Sequence, residues 1–207
     1  MPGTGYRPEV PKGLATWFIV LSGIWVAFGV VGALLSPITV RTLEESMSGE
    51  TMSTTFTPDQ IVSFLLSPVQ IGAFITLALW WGRIRAIRKA NGYDVGGLPA
   101  IEWWGWFVPF ANYVLPVLGM RSLTKKLVGV GPLLGWWLPF CAYWLSSIGT
   151  VFIIFGAIDW QTGAIADASG LSVIVTVSWT AAALLAISWA FLVYIVRKTT
   201  AKVSQSA

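Results

Sequence analysis

The stretch WWGWFVPFANYVLPVLGM, residues 103–120, decides how this chain is folded. It lies at the bottom of the length range of a membrane-spanning helix, about 17–25 apolar residues. Pro109 and Pro116 interrupt it, and each removes a backbone donor that lipid cannot replace. Whether the stretch crosses a bilayer sets the side on which everything after it lies, and the basic residues test the two arrangements. If it does not cross and the amino end is cytoplasmic, the inner side holds Arg7, Lys12, Arg83, Arg85, Arg88, Lys89, Arg121, Lys125, Lys126, Arg197, Lys198 and Lys202. Arg41 alone is then outside, a split of 12 to 1. If it crosses, the split becomes 6 to 7. Lys and Arg concentrate on the cytoplasmic side of membrane proteins, so the stretch does not cross. It forms either a re-entrant hairpin or a pair of short helices in the interface. The uniform apolarity of the run leans towards re-entry, which requires its freed backbone groups to be buried against protein or a wet cavity.

Working outward, four longer apolar runs flank it, at residues 14–35, 61–81, 133–156 and 171–196, and none contains Asp, Glu, Lys or Arg. The chain has 207 residues, 56% hydrophobic and 11% charged, with a mean hydropathy of +0.73. A soluble domain of this length has too little interior to cover four such helices. The first run ends at Ser36-Pro37 and is too long for the apolar region of a cleaved signal peptide, so it is expected to remain as a helix. The expectation is an all-α polytopic membrane protein, one domain over residues 1–207. It has four transmembrane helices, both termini cytoplasmic, and a Pro/Trp-broken segment between helices 2 and 3.

Several chemistries are excluded by residue type. The chain has no histidine and one cysteine, Cys141. That removes His-based triads, His-ligated zinc and haem, intramolecular disulfides and thiolate clusters. The net charge of +4 is too small to indicate nucleic-acid binding. No nucleophile elbow or Walker loop occurs, and Gly129, Gly131 and Gly135 have the wrong spacing for a dinucleotide fingerprint. No catalytic residue, metal or cofactor is expected. The acidic loop with Glu44, Glu45, Glu50 and Asp59 matches no metal-ligand spacing and reads as solvated.

The sequence RIRAIRKANG after the second run continues that helix and ends it at Asn91-Gly92, a C-cap pair. Its Arg83, Arg85, Arg88 and Lys89 are the ordinary positive-inside signal and are candidates for contact with anionic headgroups. Ser178, Ala182, Ala186 and Ala190 recur at i+4 as a small-residue stripe for close helix packing, within the bundle ahead of a dimer. Pro68 and Pro139 are expected to kink their helices and free one carbonyl each.

Eight of the 13 tryptophans (Trp17, Trp80, Trp81, Trp103, Trp104, Trp106, Trp136 and Trp137) fall at expected cytoplasmic boundaries. An interfacial belt accounts for most of them; further clustering would make an aromatic surface for a lipid tail or partner helix. The run from Trp106 to Tyr113 is echoed from Trp136 to Tyr143 with Trp, Pro, Phe and Tyr in register. Glu102 borders the broken segment, with Asn112 and Arg121 as possible neighbours. It is expected to be exposed at the interface, the alternative being a buried proton-exchanging group.

Trp103-Trp104, Trp106-Phe107-Val108-Pro109-Phe110-Ala111-Asn112, Pro116 and Met120-Arg121 resemble the signature of a bacterial membrane family catalogued as domain of unknown function 4328. The resemblance extends over about residues 73–145. It implies a fold neighbourhood and a bacterial plasma-membrane location, and it carries no activity.

The expected function is therefore that of a small non-enzymatic accessory or scaffold subunit that packs against membrane lipid, a protein partner or a second copy. The competing expectation is a transporter or channel with its site at the broken segment. The candidate ligand or lipid residues are Glu102, Trp103, Trp104, Trp106, Pro109, Asn112, Pro116 and Arg121.

Overall fold

A computed structural model describes residues 9–47, 58–96, 99–106, 113–157, 159, 161 and 169–206. They form six helices: α1 (Lys12–Met47), α2 (Pro58–Ala90), α3 (Ile101–Trp104), α4 (Leu115–Thr124), α5 (Val130–Ala157) and α6 (Ser169–Ser206). No strand occurs among the described residues. Four of the helices, α1, α2, α5 and α6, are long and apolar enough to cross a membrane. Each contains one of the apolar runs and extends beyond it.

The extensions have local causes. The Ser36-Pro37 pair was expected to end α1, yet the helix continues to Met47. Pro37 has no N–H for the carbonyl of Ala33, and the Ser36 hydroxyl donates to that carbonyl at 2.7 Å instead. An Arg41–Glu45 pair four residues apart, at 2.8 Å, supports the added turns. At the end of α2, Gly92 adopts φ 77°. Its N–H bonds to Lys89 O and that of Tyr93 to Arg88 O, both at 3.0 Å, the Schellman arrangement expected from Asn91-Gly92. The last turns of α6 run past residue 196 because Thr199, Thr200 and Val203 are buried against the bundle; the Trp80 indole N–H donates to the Thr200 hydroxyl at 3.0 Å.

The long helices pack in the order α2, α1, α6, α5, while α2 and α5 make no substantial backbone contact with each other. The start of α1, the end of α2, the start of α5 and the end of α6 meet at one end, together with α3 and α4. The main core lies there, around Trp80, Trp81, Ile84, Met120, Leu123 and Trp136. A smaller cluster of Val40, Ala157, Leu171 and Ile174 closes the other end. The chain thus leaves α2 and enters α5 at the same end, which carries all the described basic residues except Arg41.

Close approach is carried partly by glycines. On α1, a Cβ at Gly23 would lie 3.3 Å from Trp189, and one at Gly29 would lie 3.3 Å from Leu185 of α6. Within the expected α6 stripe, Ala182 is buried, Ser178 and Ala186 are half-buried, and Ala190 is exposed. The stripe is therefore covered at Ala182 and opens at Ala190. A Cβ at Gly119 would meet Trp81 Cζ2 at 2.7 Å, and one at Gly135 would meet the Phe191 ring at 2.8 Å. The neighbours differ in freedom: Trp81 is fully buried, whereas Phe191 is exposed on α6. Gly119→Ala is expected to lower stability by about 1–3 kcal/mol, as overpacking of a filled core does. Gly135→Ala should cost clearly less because the Phe191 ring can swing outward. Unfolding of both variants in the same detergent checks the order.

Candidate functional site

The absence of α2–α5 packing leaves a partly open cavity of about 410 Å³ on the inner side of α1, α2, α5 and α6. This lies within the range of small-molecule sites, about 300–1,000 Å³. Its α1 wall runs from Phe18 to Val26, about 12 Å of helix at 1.5 Å per residue. Opposite stand Phe74 and Leu77 of α2, Trp137 and Phe140 of α5, and Leu185 and Trp189 of α6.

Trp106 bridges the gap at the α3–α4 end. Its ring makes edge contacts with Phe74 of α2 at 6.2 Å and with Trp137 and Phe140 of α5 at 6.1 Å. Such aromatic pairs contribute about 0.5–1.5 kcal/mol each beyond the area they bury. The side chain thus links two helices whose backbones do not pack. The echo between the two aromatic runs has a spatial counterpart here, since Trp106 of the first touches Trp137 and Phe140 of the second. Trp25 and Tyr143 add an edge contact at 6.3 Å.

Four of the polar side chains around the cavity are engaged inside the walls. The Trp189 indole N–H donates to the Ser22 hydroxyl at 3.0 Å, and Ser22 in turn donates to Phe18 O. The Trp137 N–H donates to Tyr113 O at 2.9 Å. Ser188 donates across the α5–α6 interface to Trp136 O at 2.9 Å, beside the Pro139 turn. A guest in this space meets mainly ring faces, ring edges and alkyl groups. Gln70, on an exposed stretch of α2, is the one amide side chain in the described lining.

The α3–α4 segment is held to α2 by buried charge. Arg85 Nη1 lies 2.9 Å from Glu102 Oε2, with side chains only 10% and 9% exposed. No aligned hydrogen bond reaches that oxygen, so Coulomb attraction dominates the contact. Arg88 Nη1 donates to Leu123 O at 2.7 Å and Lys125 O at 3.0 Å, and its guanidinium sits 4.8 Å from the Tyr93 ring centre. These are the orphan carbonyls at the end of α4.

Several expectations need correction. Arg85 and Arg88 are not poised for lipid headgroups: both are buried and hold α3 and α4, while Arg83 and Lys89 are exposed. Glu102 is buried beside Gly82, 3.6 Å from where its Cβ would be, and is not exposed at the interface. Its partner is Arg85, while Arg121 is exposed. The belt account fails for Trp80, Trp81, Trp136 and Trp137, which are buried in the core, but Trp17 and Trp103 are exposed. Trp104 donates to Pro99 O at 2.7 Å, and Pro116 is buried in the first turn of α4. Pro109 and Asn112 lie outside the described residues. Among the described residues no three His, Cys, Asp or Glu side chains converge to hold a metal.

Ser22, Trp25, Phe74, Ser188 and Trp189 were not singled out from the sequence. Trp25 and Trp189 lie deep within apolar runs, where a Trp N–H needs a protein acceptor, and that was the available signal. In comparisons with known proteins, no family model, curated protein or solved structure matches the chain.

Proposed function

We propose that the chain is a small, non-enzymatic accessory or scaffold protein of a bacterial plasma membrane whose bundle holds the hydrocarbon part of a lipid. The observation that carries this reading is the aromatic cavity of about 410 Å³, whose wall is mainly apolar and whose Ser22, Ser188, Trp137 and Trp189 groups are paired within it. A polar substrate would give up its water against a mainly apolar wall, whereas an alkyl chain gains by doing so. The unsealed α2–α5 side gives such a chain a route from the bilayer. The concentration of basic residues supports placing the α3–α4 end and both termini in the cytoplasm.

In this reading residues 103–120 are re-entrant. Trp106 and Tyr113 of this segment both line the cavity, which supports that reading. Membership of the domain of unknown function 4328 family remains a proposal resting on the motif from Trp103 to Arg121. A protein partner or second copy would meet the lipid-facing helices. The transporter reading has no comparable support, since Glu102 is paired with Arg85 and is not among the lining residues.

The test is lipid retention. Protein purified in mild detergent is expected to carry a chain-bearing lipid by mass spectrometry, and a diazirine fatty acid should label the cavity wall. Ala73, buried on the α2 wall, offers a way to fill the space. Ala73→Leu should lower retention about tenfold, the scale of an overpacking penalty, with the unfolding midpoint showing that the fold persists. Wild-type protein free of lipid and unlabelled by the probe would exclude the reading.

A further inference from the structure

A second groove, of about 420 Å³, runs between the start of α1 and the end of α6. Lys12 stands on one side and Arg197 on the other, with Ala15 and Ala201 among the lining residues and Ile19 and Val20 one to two turns further along α1. We infer that this groove binds the phosphate of an anionic phospholipid between Lys12 and Arg197, with the adjoining acyl chain along Ile19 and Val20. The site is separate from the aromatic cavity and does not depend on it.

Charge complementarity comes first. Lys12 and Arg197 are exposed, belong to different helices, and take part in no ion pair among the described residues. Among the described residues no acidic side chain lines the groove; Glu9, one turn before Lys12, is exposed and outside the lining. The hydroxyls of Thr16, Thr200 and Ser204 donate back to Lys12 O, Val196 O and Thr200 O. They leave the two cations as the side-chain donors. The amide end of α1 begins at Lys12 and adds its partial positive charge to the same region.

Depth comes second. Lys12 precedes the apolar part of α1 by two residues and Arg197 follows that of α6 directly, so both sit where hydrocarbon gives way to headgroups. Trp17, 62% exposed on α1, is a side chain suited to that depth. Beyond the cations the lining turns apolar at Ile19 and Val20. A free anion would use only the charged half of the groove, and a phospholipid uses both.

The experiment incubates purified full-length protein with mixed phosphatidylglycerol and phosphatidylcholine vesicles in 0.3 M salt and counts retained lipids by native mass spectrometry. At that salt, diffuse attraction is screened. Lys12→Gln and Arg197→Gln should each lower the retained phosphatidylglycerol-to-phosphatidylcholine ratio about fivefold, and the pair about 25-fold. Arg83→Gln/Lys89→Gln removes the same charge from the same end and should change the ratio less than about twofold. In an Ala73→Leu background, where the cavity lipid is lost, the Lys12→Gln and Arg197→Gln effects should persist, which separates failure here from failure of the cavity reading. Equal losses in the two double variants would overturn the site in favour of diffuse charge. Displacement of the lipid by inorganic phosphate alone would overturn the lipid assignment.

Discussion

Glu102→Leu is expected to lower the stability of the protein by about 3–5 kcal/mol, the usual cost of leaving one member of a buried ion pair without its partner. The pair links α2 to the first turn of α3, and both side chains are about nine-tenths buried. Removing the carboxylate takes the counter-charge away from the buried Arg85 guanidinium. The decisive comparison is the double variant Arg85→Met/Glu102→Leu. Replacing a whole buried pair by apolar groups is often neutral or stabilising, so the double variant should recover most of the loss. Denaturant titration in matched micelles measures both. A loss under about 1 kcal/mol for the single variant would show that Arg85 finds water. Proteolysis at Lys125-Lys126 should also accelerate in Glu102→Leu alone, because α3 and α4 are tied to α2 partly through this contact.

Arg88→Ala is expected to cost about 3 kcal/mol. Its two bonds to Leu123 O and Lys125 O satisfy the end of α4, and charge-assisted bonds contribute about 1.5–3 kcal/mol each. Part of that is recovered when water reaches Lys125, which is exposed. Arg88→Lys should recover only part of the loss. An ammonium keeps the charge but lacks the planar fork and has a shorter reach, so serving both carbonyls while resting on Tyr93 is difficult. The same micelle titration ranks the three proteins. If Arg88→Lys matched wild type, charge at the helix end would suffice and the geometry of the contact would be immaterial.

These two arginines also show why the sequence misled. RIRAIRKANG places four cations within seven residues, and any rule based on composition assigns all four to the membrane surface. Helical periodicity separates them: Arg85 and Arg88 are three apart and share a face with Trp81 and Ile84, which are fully buried. Whether that face meets lipid or protein depends on what packs beside α2. The partner is the chain's own broken segment, placed there by contacts from Gly119 to Trp81 and from Glu102 to Arg85. The tryptophans repeat the point, since the same indole serves at an interface or in a core. The packing of α3 and α4 at this end turned half of a supposed belt into an interior.

What the sequence determined by itself is the number and position of the apolar helices, the return of the chain to the same end after residues 103–120, and the stop at Asn91-Gly92. Each follows from local quantities: the length of an apolar run, the balance of basic residues across loops, and the left-handed conformation that glycine accepts. What only the tertiary structure decided is where α1 truly ends, which cations are buried, and where the cavity lies. Ser36 answers Pro37 through a bond invisible to hydropathy. The cavity exists because α2 and α5 fail to close on one another, and Trp106 spans the gap from a segment far from both centres in sequence. Its walls come from four helices, and no local pattern records which faces of four separate helices will be turned towards one another.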